Sequence, residues 1–454
     1  MSDTIDTVEL PAERVSVVED VDVIVAGGGT SGFLAATAAA RLGAKTVLVE
    51  RMGYLGGCTT SPYNTSIGAF RDSDGKQIIA GLGWEFLERM AADGYCILGP
   101  RPRTRNQLWP AWTRKVALDM VEEAGVGYYF HTWVTGVLRE GEAITGMTVQ
   151  NKVGRSVMRA KAFVDATGDA DLAAFAGAEF EVTTTEDLQQ VSCDYIACGV
   201  DAEKVRAWAN ENAEVLGLRV SGCDEAFTGA AQNMLTIVIP NPRDDGAGGT
   251  HHVGVMPTVK LCIYREAVRI QGNADIDPLD PKALTRAEAD GLRGALGHLQ
   301  YMKDTVPGFE NAFPVAQTHL GVRETRRIVG DHMLTVDEVT GNARFDDVVA
   351  LNCRALDYHL KGTVFKISGI TGHHDIPLAA LLPKGVANLA VSGRSVSCDH
   401  LSQASLRGAA TCMATGHAAG VAAAHAAAGG CGIRDVAIEA IQRSLLDQGA
   451  VLQA

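Results

Sequence analysis

Histidine is the side chain best suited to carry a proton at neutral pH. Five of them, His359, His373, His374, His400 and His417, lie in the last third of this 454-residue sequence. His373-His374 precedes Asp375-Ile376-Pro377, and adjacent side chains of an extended strand point to opposite faces, so at most one of the pair readily faces a substrate. These two are the first candidates for a catalytic base, with His400 next. His359, after Asp357-Tyr358, reads as structural; Tyr358 is a weaker candidate as hydrogen-bond donor to a substrate oxygen. His417, in an alanine-rich run, reads as packing or a cofactor contact. In the same third, Gly321-Val322-Arg323-Glu324-Thr325-Arg326-Arg327-Ile328-Val329-Gly330 gathers three arginines. Such a cluster either anchors a substrate carboxylate or ties one domain to another through internal salt bridges. Farther upstream, Arg101, Arg103 and Arg105, followed by Trp109 and Trp112, could hold an anionic or aromatic substrate, or form a solvated loop.

The elements that must position such chemistry begin near the N-terminus. Asp22-Val23-Ile24-Val25-Ala26 is the short apolar run of a strand buried on both faces of a parallel sheet. Gly27-Gly28-Gly29-Thr30-Ser31-Gly32 follows as a tight turn. Gly27 supplies unusual backbone angles, Gly29 close approach of a pyrophosphate, and Gly32 close packing of the next helix. Thr30 or Ser31 can cap that helix, which continues to Leu42, and Gly43 suits the left-handed residue after it. Its N-terminus then faces phosphates. A second strand ends at Glu50, 23 positions beyond Gly27, where a carboxylate can accept hydrogen bonds from adenosine ribose hydroxyls and repels a 2′-phosphate. Strand, turn, helix, strand and acid in that order predict a bound dinucleotide. The loop Arg51-Met52-Gly53-Tyr54-Leu55-Gly56-Gly57-Cys58-Thr59-Thr60 comes next, and its paired glycines let backbone amides crowd a flat or anionic group.

A chain of this length is expected to divide into two intertwined or consecutive domains. Hydrophobic residues at 46% and charged ones at 21% are those of an ordinary soluble enzyme. The net charge of −14 argues against a general affinity for nucleic acid or an anionic membrane, so an anionic ligand needs a local basic pocket. No uninterrupted run of 18 apolar residues occurs, and a start carrying Asp3, Asp6 and Glu9 is not a signal peptide, so a cytoplasmic protein is expected. The ten cysteines form no CxxC pair; reduced thiols are expected, and neither a metal nor an iron–sulfur site. A homo-oligomer stays open.

Along the chain, Val15-Ser16-Val17-Val18 could add an edge strand, and helices are predicted over Gln77 to Ala92, Thr113 to Ala124 and Leu284 to Lys303. Tyr128 to Met158 reads as a three-stranded meander, followed by a buried strand, Ala162 to Ala166, and the turn Thr167-Gly168-Asp169. A Gly-Gly loop straight after Glu50 resembles flavoproteins that bind FAD lengthwise, and with Asp165-Ala166-Thr167-Gly168-Asp169 the order resembles the FAD-binding domain of the glutathione-reductase-like flavoproteins. Asn388-Leu389-Ala390-Val391-Ser392-Gly393-Arg394, Asp399-His400, Ser405-Leu406-Arg407 and the run Thr411 to Gly420 look like a poorly characterised family of FAD-dependent oxidoreductases, distantly similar to fumarate reductase flavoproteins. The resemblance spans most of the chain and is weakest between residues 186 and 300.

It implies an α/β fold: a Rossmann-like FAD-binding domain with a β-meander, discontinuous over 15–185 and 346–430, an inserted α+β substrate or cap domain over 186–345, and a C-terminal helix within 431–454. It implies FAD contacts at Gly27, Gly29, Thr30, Ser31, Gly32, Glu50, Arg51, Gly56, Gly57, Cys58 and Thr59, at Thr167, Gly168 and Asp169, and at Gly393, Arg394, Ser405 and Leu406. Related flavoproteins carry a Gly-acid pair where Gly393-Arg394 stands here; arginine would contact phosphate directly. The helix after Arg407 would aim its amino end at the flavin pyrimidine ring. Cys58 would lie near the flavin, as a space-filler or a reactive thiol, and the His373-His374 segment would enter the cavity beside it. The glycine-rich loop Asn241 to Gly249 has no strand before it and no helix after it, so no NAD(P)H domain is expected and electrons pass to oxygen, a quinone or a carrier protein. The leading expectation is a dehydrogenase or oxidase in which a histidine takes a proton from a small-molecule hydroxyl while the adjacent carbon gives hydride to flavin N5. The second is an ene-reductase in which Arg326 or Arg327 delivers a proton to an activated double bond. The third is a carrier-type flavoprotein, or one subunit of an electron-transfer complex.

Overall fold

Val23, Ile24 and Val25 have no exposed surface, as an apolar run flanked by parallel neighbours requires; they belong to the central strand β1, Ser16–Ala26. The computed structural model describes residues 8, 11–98, 106–212, 219–221, 235–240, 250–256, 261–267, 276–360, 363–367 and 372–454. From β1 the chain passes through α1, Gly32–Arg41, into β2, Thr46–Val49, which pairs parallel with β1 so that Ala26 lies opposite Val49. On its other side β1 is parallel to the strand Gly154–Asp165, with Ile24 opposite Phe163 and Ala26 opposite Asp165. The sheet continues outward through Ala143–Asn151 and Trp133–Glu140, both antiparallel, and beyond β2 through Gly127–Tyr129.

Three sequence expectations shift here. Residues 162–166 do not form a strand of their own: they continue the last meander strand, whose first half pairs with Ala143–Asn151 and whose second half pairs parallel with Leu389–Val391 from the far end of the chain. Tyr128 and Tyr129 leave the meander and join β2 in parallel. Val17 and Val18 make no separate edge strand, because a bulge between Val17 and Glu19 lets β1 keep pairing back to Ser16 opposite Ser156. Alternation alone cannot distinguish these cases, since register depends on partners remote in sequence.

The predicted helices fall at Leu82–Ala92, Pro110–Glu123 and Pro281–Thr305. The first starts later than its apolar spacing suggested, after Gly81 at φ +61, although Ile78 and Ile79 are still buried. The alanine-rich helix Ala409–Gly429 lies against α1 with backbones in contact: a Cβ on Gly416 would fall 2.1 Å from the Ser31 carbonyl oxygen, and one on Gly420 2.1 Å from that of Ala35. A short helix, Ile438–Asp447, follows it.

A second, antiparallel sheet has the order Arg219–Ser221, Leu235–Pro240, Thr250–Met256, Leu261–Ala267, Ser192–Cys198, Phe313–Gln317. The helix Pro281–Thr305 packs against it over a core of its own that includes Tyr195, Leu299, Met302 and Phe309. Where the chain leaves for this sheet and returns, Phe180–Val182 pairs with Arg326–Ile328. The loop Asn241 to Gly249 lies outside the described residues.

Candidate active site

The end of β1 opens into a cleft of about 290 Å³ lined from both halves of the chain. One wall is the β1–α1 turn. Gly27, at φ +94, has no room for a Cβ, which would meet Ala166 O at 2.4 Å; a Cβ on Gly32 would lie 1.8 Å from Gly27 O. Gly29 is different: its nearest protein neighbour would be Gly57 Cα at 3.8 Å, so the space beside it belongs to the cleft. Ser31 is the N-cap of α1 but no side chain caps the helix, a correction to the expected Thr30 or Ser31 cap. A helix start without such a cap suits an anion. Glu50 is nearly buried and accepts from Gly28 N at 2.6 Å and Met52 N at 2.7 Å, and burial raises its pKa. These amides hold the carboxylate at the cleft edge.

The opposing turn is organised by Asp165. Its carboxylate accepts from Thr167 N, Thr167 Oγ1 and Ala173 N at 3.0, 2.7 and 2.9 Å, while burial pushes its pKa up to about 6. Gly168 and Asp169 thereby reach the cleft. Arg394 pairs with Asp169 at 2.5 Å; burial alone would raise the Asp169 pKa, but the Arg394 charge and a hydrogen bond from Thr325 hold it below the usual range. Arg394 is therefore no free phosphate ligand, yet its Nε is buried with no acceptor among the described residues. The turn at Gly29, the uncapped helix and this donor fit an elongated anionic dinucleotide.

Thirteen of the expected cofactor residues line the cleft: Gly27, Gly29, Thr30, Ser31, Glu50, Arg51, Gly57, Cys58, Thr167, Gly168, Asp169, Gly393 and Arg394. Five do not, namely Gly32, Gly56, Thr59, Ser405 and Leu406. Thr59 is buried, its hydroxyl donating to Gly56 O at 2.8 Å, and Gly56 N bonds Gly28 O. Ser405 donates to Arg354 O at 2.5 Å, beneath the cleft, and Leu406 is in the core. Cys58 lies 4.0 Å from Thr30 Oγ1.

Among the described residues, none of His373, His374, His400 and His417 lines the cleft. His374 is wholly buried on a strand paired with Val348–Asn352, and burial pushes its pKa down to about 3. His373 is also buried and lowered, so the strand is covered on both faces. His400 Nδ1 faces Glu324 Oε1 at 2.8 Å. Glu324 also takes Thr183 Oγ1 and Arg327 Nη1, both at 2.6 Å; these partners hold its carboxyl low despite burial. Arg326 pairs with Asp171 at 2.9 Å. Of the arginine cluster, Arg326 and Arg327 thus join parts of the fold, and Arg323 alone reaches the cleft. His417 packs beside Gly81 and bonds Gln448 at 2.9 Å. Tyr358 is buried and its hydroxyl donates to His400 O. Trp112 stacks on Tyr95 at 4.1 Å and donates to Asp93. Arg101, Arg103, Arg105 and the His359 side chain lie outside the described residues.

Sequence reasoning missed Arg354 and Asp357, and named Arg407 only within a motif. All three line the cleft beside Gly408 and Ala409 at the start of the alanine-rich helix. Arg354 pairs with Asp357 at 2.7 Å, and Arg407 donates to Gln189 Oε1 at 3.1 Å and to Asp357 O at 2.5 Å. Burial, then the charges of Arg323 and Arg354, push the Arg407 pKa down to about 9. Arg354 has no local motif that would have found it.

A parallel sheet with a glycine turn at its switch into α1, an acid ending β2 and a cleft shared with the second sheet define a dinucleotide-binding α/β protein. Residues 22–445 match the FAD dependent oxidoreductase family, and the chain belongs to it: it is an enzyme, and its cofactor is FAD. Among curated proteins it is 31% identical over 143 residues to the tRNA uridine 5-carboxymethylaminomethyl modification enzyme MnmG of Dichelobacter nodosus, a match covering 29% of this chain and only 22% of that enzyme. Among solved structures it is similar to a geranylgeranyl bacteriochlorophyll reductase-like protein of Thermoplasma acidophilum, at 13% identity and TM-score 0.45 over 94% of this chain and 82% of the other. A flavin-dependent brominase gives 14% identity and TM-score 0.45 over 94% and 83%. Among the described residues no helix is long and apolar enough to cross a membrane, and no group of three or more His, Cys, Asp or Glu could hold a metal ion.

Proposed function

We propose that this FAD-dependent oxidoreductase reduces an activated double bond of a small molecule, with the guanidinium of Arg407 as proton donor. The carrying observation is that Arg407 lines the cleft at the start of the alanine-rich helix whereas, among the described residues, His373, His374, His400 and His417 do not. Bound FAD, once reduced by an external electron carrier, would supply a hydride to one carbon of the double bond; Arg407 would give a proton to the other carbon and regain it from solvent. Burial and the neighbouring charges of Arg323 and Arg354 lower the Arg407 pKa, which makes its guanidinium a better proton donor than an exposed arginine. The converse reading, dehydrogenation of a hydroxyl with His373, His374 or His400 as base, needs a histidine to reach a cleft from which all three are withdrawn. The FAD-contacting set is taken as the thirteen expected cofactor residues that line the cleft, and the sheet around Ser192–Cys198 as the cap over the substrate.

The test is anaerobic absorbance of the holoenzyme. Chemically reduced enzyme should be reoxidised by a neutral enone, at least about 100-fold more slowly in Arg407→Met that retains FAD, and less impaired in Arg407→Lys. Bleaching of the oxidised flavin by an alcohol, at a rate Arg407→Met leaves unchanged, would return the enzyme to the dehydrogenase class.

A further inference from the structure

We propose that the substrate of this site carries a carboxylate and that Arg354 is the side chain that binds it; this rests on the reductase reading above. Arg354 lines the cleft with its Nη2 on Asp357, but its Nε is buried and has no acceptor among the described residues. A buried cationic donor without a partner is costly unless a ligand supplies the acceptor. The arginine is held in place from behind. Its backbone N–H donates to Asn352 Oδ1 at 3.0 Å, and its carbonyl accepts from Ser405 Oγ at 2.5 Å. Asn352, wholly buried, donates to Ser405 Oγ at 2.8 Å and accepts from Thr411 Oγ1 at 2.8 Å. Gly408 leaves the room: a Cβ there would meet Arg354 Cδ at 2.5 Å.

Arg354 and Arg407 share this wall with Asp357; the charge of Arg354 is felt at Arg407 as repulsion, and those of Asp357 and Glu324 offset part of it. A planar carboxylate matches a guanidinium better than a neutral carbonyl does. The rival occupant of this positive charge is the reduced flavin itself.

The probes are acetate, malonate and benzoate, with their amides as neutral counterparts, titrated into oxidised holoenzyme and read by the flavin difference spectrum. The carboxylates should bind and the amides should not. Arg354→Met should raise the carboxylate Kd about 10- to 100-fold with FAD affinity unchanged, and Arg354→Lys should recover part of the loss. Equal binding of acids and amides would overturn the proposal, as would carboxylate Kd values that neither variant changes. A shift of the flavin reduction potential in either variant, with carboxylate Kd untouched, would assign Arg354 to the flavin instead. Reoxidation by a neutral enone reports on Arg407 independently: if it persists while carboxylates fail to bind, the reductase reading stands and the carboxylate assignment falls; if it is absent while carboxylates bind, the reverse holds.

Discussion

At the scale of single residues, the glycines of the first turn do unlike work although they sit within six positions. Gly32 is required by the fold, because any Cβ would overlap the Gly27 carbonyl; a side chain at Gly29 would meet only cleft, so what it would obstruct is a ligand and not the fold. Their substitutions should therefore separate. Gly29→Val is expected to melt within a few degrees of the apoprotein yet purify colourless, whereas Gly32→Ala should cost about 1–3 kcal/mol of apoprotein stability through overpacking. Flavin absorbance and apoprotein melting check both. A yellow Gly29→Val would place the dinucleotide elsewhere. The family's FAD chemistry was legible in these residues since their effects are local, reaching only the adjoining strand and helix.

At the scale of elements, the FAD site depends on how closely two helices meet. The alanine-rich helix touches α1 through Gly416 and Gly420, and that contact sets where the N-terminus of α1 points. Gly416→Ala should push the pair apart, lowering stability by about 1–3 kcal/mol. It should also weaken FAD binding at least tenfold, measured by fluorescence titration of the apoprotein. Gly385→Ala, destabilised by backbone strain at φ +74 but with open space around its Cβ position, serves as the control for FAD affinity; if both variants bind FAD equally, the helix contact does not govern the site. The sequence displayed both glycines, but a partner for them is invisible until the helices are packed.

At the scale of the whole molecule, the candidate histidines become a question of stability. His374 and His417 are buried and neutral, with pKa values pushed by burial to about 3 and about 4. Both lie below the unfolded value near 6.5, so their contribution is complete above that pH and is lost as pH falls toward the folded values. At pH 5 each would cost about 2 kcal/mol. Asp165 works the other way: its pKa, raised to about 6, gives stability that is present below the unfolded value and lost as pH rises through 6, so acidification to pH 5 returns about 1 kcal/mol. The net expectation is a fall in denaturation midpoint between pH 7 and pH 5, made shallower by about 2 kcal/mol in His374→Leu. An unchanged pH dependence in that variant would mean that His374 is not buried neutral.

What the sequence determined by itself is the dinucleotide frame: β1, its turn, α1 and Glu50 interact with neighbours a few dozen positions away, and their glycine and apolar spacing is enough to specify them. The tertiary structure decided the chemistry at the far wall. Arg323, Arg354 and Arg407 come from three separate segments and meet only in the packed chain, while His373 and His374, more conspicuous as a pattern, are drawn into the core and His400 faces Glu324. Proton-carrying potential is written in a residue's type, but whether it faces a ligand depends on which surfaces the packed chain leaves open.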